Sequence, residues 1–258
     1  MKHDFKYVKK DDPQLRTVYA DAVSLIREVQ DAVRDRFTFQ YRAVGSYSRN
    51  MVTYDAKSNT GYDLDFDLIV NDDDERYTAK EIKEFLRAAM NQAAKKYGYD
   101  FPEDSTRVLT MKCKDRKNSK ILHSIDFAIT NEYTDEDGVD RRAYIHFDKK
   151  TNQYIWCEQP SGAYKLPERI AMLKSEQLWS ELREHYRKKK NENDNPKLHS
   201  RQLFSMAVND LILKYGLESE GEQEDPVYAG QNGVQAICLG IYSLPYGEHC
   251  CFCEDVVQ

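Results

Sequence analysis

The sequence predicts an α/β (α+β) fold, with a mixed-sheet core over residues 1–160 and a helical lobe over residues 161–258. Two observations carry this reading. Over the first 160 residues, stretches of helical periodicity alternate with short apolar, β-branched and aromatic runs of period two. From Pro167 onward the pattern is mostly helical. A chain of 258 residues is long enough for one large domain or two small ones.

The elements follow in order. Val18, Ala22, Leu25, Ile26, Val29 and Val33 recur at three- and four-residue steps, which predicts a helix over Leu15–Arg36. Phe37–Val44 alternates and reads as a strand running into Gly45-Ser46, where a short helix or turn follows. Asp55–Gly61 is a polar loop, and "YDLDFDLIV" is a second strand. Thr78 and Glu81 have capping-box spacing and open a helix to about Tyr97. Thr106–Lys114 and Lys120–Thr130 form a hairpin around "DRKNS", and Tyr144–Pro160 a further one. Helices are expected at Glu168–Lys190 and Ser200–Tyr215, with a Gly/Glu-rich loop over Glu218–Gly233.

Composition excludes several classes. Net charge is −6 and the pI is near 5.6, which argues against a dedicated binder of long nucleic acid. Tight duplex DNA binding is therefore not expected. The densest basic stretch, Lys112, Lys114, Arg116, Lys117 and Lys120, surrounds a single turn that could grip a short strand or an RNA stem. No apolar run reaches membrane-span length, and the charged N-terminus lacks a signal-peptide core. Cys113, Cys157, Cys238, Cys250, Cys251 and Cys253 show no secreted-type framework, so they read as reduced thiols of a cytoplasmic protein.

The informative feature is Asp63, Asp65 and Asp67 at alternate positions of an apolar strand. Alternation puts the three carboxylates on one face and Leu64, Phe66 and Leu68 on the other. Such acids repel one another and lose hydration if covered, unless a cation or hydrogen-bond network compensates. Same-face neighbours lie about 6–7 Å apart, a spacing at which two carboxylates can hold divalent cations. Asp126 sits in another strand between Ile125 and Phe127, and would complete a triad if the strands were adjacent. A calcium loop over "DLDFDLIVNDDD" lacks the Gly such a loop needs at its sixth position. A solvated edge strand is the other plain reading. Gly45 lets the backbone approach a phosphate, Ser46 offers a hydroxyl and an N–H, and Arg49 adds charge one turn on.

Gly-Ser, then Asp-x-Asp on a strand, then a lone Asp on a later strand resembles the DNA polymerase β-type nucleotidyltransferase superfamily. "RVLTMKCKDRKNSKILHSIDFAI" is similar to the hairpin before the third carboxylate in the branch of oligoadenylate synthases and bacterial cyclic-oligonucleotide synthases. "YIWCEQPSGAYKLPERI" resembles, more loosely, the connection into their helical lobe. The resemblance implies an enzyme that moves a nucleoside monophosphate from an NTP to an acceptor hydroxyl and releases pyrophosphate. It implies Mg²⁺ or Mn²⁺ on Asp63, Asp65 and Asp126, the triphosphate on Gly45 and Ser46, cyclic or linear oligonucleotide products, and a place in antiviral defence. The interval from Gly45 to Asp63 is longer than the commonest family spacing, and Asp65/Asp67 is an alternative register to Asp63/Asp65. The apolar "LIV" after Asp67 favours Asp63/Asp65. Other readings are a toxin-like or antibiotic-modifying transferase acting on RNA, protein or a small molecule, and a nucleotide-binding module without turnover.

Three secondary features complete the reading. Lys197 and Arg201, around the start of the last long helix, are candidate triphosphate contacts, with Ser200 as its cap. Arg187–Asn191 reads as a solvated helix end or, alternatively, a contact for acceptor phosphates. "HCCFC" (His249–Cys253), with Cys238, reads as a packed or frayed terminus rather than a zinc site, because its spacings are short.

Overall fold

A computed structural model describes residues 3–55, 57–58, 61–72, 75–158 and 165–217. The His/Cys cluster, the loop over Glu218–Gly233 and much of the connection before Pro167 lie outside these residues. Two compact units share the described chain, one drawn from Met1–Tyr164 and Arg183–Asp194, the other from Lys165–Leu182 and Asn195–Gln258. Arg183–Asp194 thus belongs with the sheet, although helical patterning alone placed it in the later lobe.

The first unit is a mixed α/β structure, as the alternating patterns predicted. Its strands are β1 (Phe5–Tyr7), β2 (Thr38–Val44), β3 (Thr53–Asp55), β4 (Tyr62–Asn71), β5 (Glu103–Asp104), β6 (Val108–Asp115), β7 (Lys120–Thr134), β8 (Asp140–Asp148) and β9 (Gln153–Glu158). β1 and β3 form a small antiparallel sheet. The main sheet runs β2-β4-β7-β6-β5, with β8 pairing to β7 and β9. Its β4–β7 pair is parallel and the others are antiparallel.

Helices α1 (Pro13–Val33) and α3 (Ala79–Ala94) cover one face. Asp12 caps α1 by accepting from the N–H groups of Gln14 and Leu15. Thr78 and Glu81 close the expected capping box on α3. Leu25, Ile26, Leu86 and Met90 pack against Leu64, Phe66, Phe127 and Ile129 in one core. Phe66 and Phe127 are cross-strand partners whose rings stack at 6.0 Å. Burying this face turns Asp63, Asp65 and Asp67 of β4 to the opposite side together.

The single helix expected over Glu168–Lys190 is two, α4 (Leu166–Ser175) and α5 (Trp179–Glu192). Gln177 adopts φ +59°, and the Leu178 N–H reaches back to the Leu173 carbonyl at 2.8 Å. This is a left-handed helix stop made without glycine, so composition gave no warning of it. α6 (Ser200–Tyr215) has the expected span. Its cap is His199 rather than Ser200, with the Gln202 side chain accepting from the His199 N–H.

Candidate active site

Parallel pairing of β4 and β7 sets Asp65 opposite Asp126 and Asp63 opposite Ser124. Carboxylate oxygens of Asp63, Asp65 and Asp126 consequently lie within 4.8 Å of one another. Among the described residues this is the one cluster of His, Cys, Asp and Glu able to hold a metal ion. Ser124 donates to Asp63 at 2.8 Å, and Thr110 on β6 donates to Asp126 at 2.6 Å. Strand alternation makes Ser124 readable as a neighbour of Asp126. Thr110 needed the β6–β7 register.

The short helix α2 (Gly45–Ser48) begins where β2 ends. Gly45 has φ +61°, and a Cβ there would stand 1.9 Å from Asp65 Oδ2. The Ser46 N–H donates to the Asp65 carboxylate, and the Ser46 hydroxyl reaches the Asp63 carbonyl at 3.5 Å. Tyr47 stacks on Tyr19 of α1 at 4.3 Å, which anchors the turn to the core. The Gly-Ser pair therefore touches the acids directly, and the glycine is required both by backbone conformation and by space.

We expect Gly45→Ala to reduce any nucleotide turnover at least about a hundredfold and to destabilise the fold by roughly 1–3 kcal/mol. Turnover and urea unfolding check this. Wild-type turnover in Gly45→Ala would remove the turn from the site.

Electrostatics describe an acid cluster in need of compensation. Burial, then the charge of Asp63, raises Asp65 to about 6, while Arg49 and the Ser46 N–H act in the opposite direction. Burial, then Asp63, raises Asp126 to about 7, against the Thr110 hydrogen bond. Solvent reaches Asp63, yet the protein around its carboxyl still limits hydration and raises its pKa, opposed by Ser124 and Lys190. A divalent cation would relieve all three groups at once, and hard carboxylate oxygens are the donors Mg²⁺ and Mn²⁺ prefer. The residues present fit such an ion.

Lys190 is the residue that sequence reasoning missed. It was grouped with a solvated helix end, but Nζ donates to Thr53 Oγ1 at 2.8 Å and lies 4.0 Å from the Phe5 ring centroid. Burial lowers it to about 8, while Asp63 and Asp55 pull its pKa upward. Its neighbour Asn191 pairs with the Phe5 backbone, accepting at 2.6 Å and donating at 3.4 Å. The small β1–β3 sheet thus places a cation within electrostatic reach of Asp63.

The remaining candidates are placed as follows. Arg49 follows α2 and acts on Asp65. Lys197 and Arg201 belong to the second unit and are exposed. Three of the five basic residues at the β6–β7 turn are already paired with acids, Lys112 with Glu103 and both Lys114 and Arg116 with Asp100. His123 packs edge-on against Tyr99 and His146 is buried, so neither joins the acid cluster.

No protein-family model and no curated protein matches this chain. Solved structures do. The Elizabethkingia meningoseptica CdnE cyclic dinucleotide synthase with GTP and Apcpp aligns at TM-score 0.47 and 13% identity, over 79% of this chain and 71% of that one. The STING-associated CdnE c-di-GMP synthase of Capnocytophaga granulosa aligns at 0.49 and 18%, over 78% and 60%. Vibrio cholerae DncV cyclic AMP-GMP synthase with a linear intermediate aligns at 0.47 and 17%, over 80% and 52%. This chain is similar to bacterial cyclic dinucleotide synthases. The likeness is one of fold. The chain spans between about half and seven tenths of the length of these three. No described helix is long and apolar enough to cross a membrane.

Proposed function

We propose that this chain is a metal-dependent nucleotidyltransferase that moves a nucleoside monophosphate from an NTP to an acceptor hydroxyl, with release of pyrophosphate. The observation that supports it most is the convergence of Asp63, Asp65 and Asp126 beside the Gly45-Ser46 turn. The three acids would hold Mg²⁺ or Mn²⁺, which when bound neutralises triphosphate charge and makes the acceptor hydroxyl a better nucleophile.

The chain's own groups do the positioning. Ser46 and Arg49 take phosphate oxygens. Thr110 fixes one oxygen of Asp126, which leaves the other for a cation or the acceptor proton. Lys190 moderates the negative charge at Asp63. Catalysis here is alignment and charge neutralisation. Cyclic or linear oligonucleotides are the favoured products, because an acidic protein with paired basic residues suits small acceptors. A cytoplasmic location belongs to the same reading.

Incubation with labelled NTPs and Mg²⁺ or Mn²⁺ tests the proposal. Oligonucleotide products are expected. Labelled RNA, protein or small molecule would instead support the toxin-like or antibiotic-modifying transferase. Bound but unreacted NTP would mark a binding module and overturn enzymatic transfer.

A further inference from the structure

β4 carries three acids on one face, yet only two join the cluster. Asp67 follows Asp65 by one strand repeat, about 6–7 Å along. It is buried, at 2% exposure, so its charge requires a partner within the protein. Two arginines provide it. Arg142 Nη2 from β8 stands 2.6 Å from Asp67 Oδ2, and Arg42 Nη2 from β2 stands 3.5 Å away. Arg42 also pairs with Glu132 of β7, and Arg142 Nε lies 3.9 Å from the same carboxylate. Strand register explains the meeting, since Arg42 is directly opposite Asp67 and Glu132 is directly opposite Arg142. Two guanidiniums and two carboxylates from four strands close a network whose formal charges cancel.

We infer that Arg142, assisted by Arg42, is a positioning residue that withholds Asp67 from the acid cluster and so fixes the metal-binding set at Asp63, Asp65 and Asp126. The inference rests on the proposed reading of that cluster as a cation site. Without the guanidiniums, Asp67 is a buried, unpaired carboxylate one step from Asp65. A divalent cation at the cluster is then its nearest source of compensation. The arginine pair decides which of two overlapping Asp-x-Asp registers on the same strand is used.

The test is Mn²⁺ binding to the full chain without nucleotide, read from the electron paramagnetic resonance of free Mn²⁺. Asp63→Asn should weaken binding at least about tenfold, because affinity follows the number of carboxylate ligands. Adding Arg42→Met and Arg142→Met to Asp63→Asn should restore most of it, with Asp65, Asp67 and Asp126 as the new set. Adding Asp67→Asn to that variant should abolish the recovery. Arg142→Met alone, which keeps Arg42 on Asp67, carries the test if the combined variant does not fold. It should bind Mn²⁺ about tenfold more tightly than wild type, and Asp67→Asn should reverse the gain. Folded variants that show no recovery and no gain overturn the inference. So does a recovery that survives Asp67→Asn, since loss of positive charge alone would then explain it. A wild-type chain that binds no Mn²⁺ overturns the metal reading and this inference together, whereas loss of wild-type binding on Asp63→Asn with no arginine effect overturns only the inference.

Discussion

Asp63→Asn combined with Asp65→Asn should lower the proposed nucleotide transfer at least about a thousandfold, with the chain still folded. Both carboxylates face the same small volume as Asp126, and neither belongs to the apolar core. Replacing them removes the charge that would hold the cations and keeps side-chain volume nearly constant. It also removes repulsion, because Asp63 raises both Asp65 and Asp126. The double variant should therefore melt at a higher temperature than wild type in EDTA, in contrast to an ordinary site mutation that loosens packing. Asp67→Asn is the comparison, since its carboxylate is occupied by Arg142 and Arg42 and should matter far less to turnover. Turnover with labelled NTP and melting in EDTA are the measurements. A double variant with near wild-type turnover would remove these acids from the chemistry.

Without divalent ions, stability should fall as pH rises from 5 to 8. Asp65 and Asp126 start from 3.8 as free side chains and are raised to about 6 and about 7 in the folded chain. Between those limits the folded state binds more protons than the unfolded state, so raising the pH favours unfolding. The two shifts together correspond to roughly 2–4 kcal/mol lost between pH 5 and pH 8, with the two groups coupled. Saturating Mg²⁺ or Mn²⁺, by binding the folded cluster as proposed, should flatten the dependence at the alkaline end. Urea unfolding at both pH values, with EDTA or Mg²⁺, measures it. A flat profile in EDTA would show that the acids are not held together in solution.

Much of this was legible in the residues. Period-two apolar runs placed β4 and β7, and the 3.6-residue pattern with its Thr78/Glu81 box placed α3. What escaped depends on partners distant in sequence. β1, β3 and β5 have only two or three residues each, too few for a period, and exist because of what they pair with. The role of Asp67 was ambiguous in the sequence because its ion-pair partners, Arg42 and Arg142, lie 25 and 75 positions away. Lys190 looked like one more cation in "RKKKN", and only packing against Phe5 and Thr53 separates it from its neighbours.

The parallel β4–β7 pair also governs how the chain arrives at its native state. β2 meets β4 after a short excursion, so that half of the sheet can zip early. Asp65 and Asp126 are 61 positions apart and meet only after α3, β5 and β6 have been accommodated between them. Closing so long a loop is entropically slow, and parallel pairing adds a non-local contact that is rewarded late. Mutual repulsion of the carboxylates should therefore be felt near the end of folding, as the last strands align. A refolding chain should meet its electrostatic barrier after most of its apolar surface is already covered.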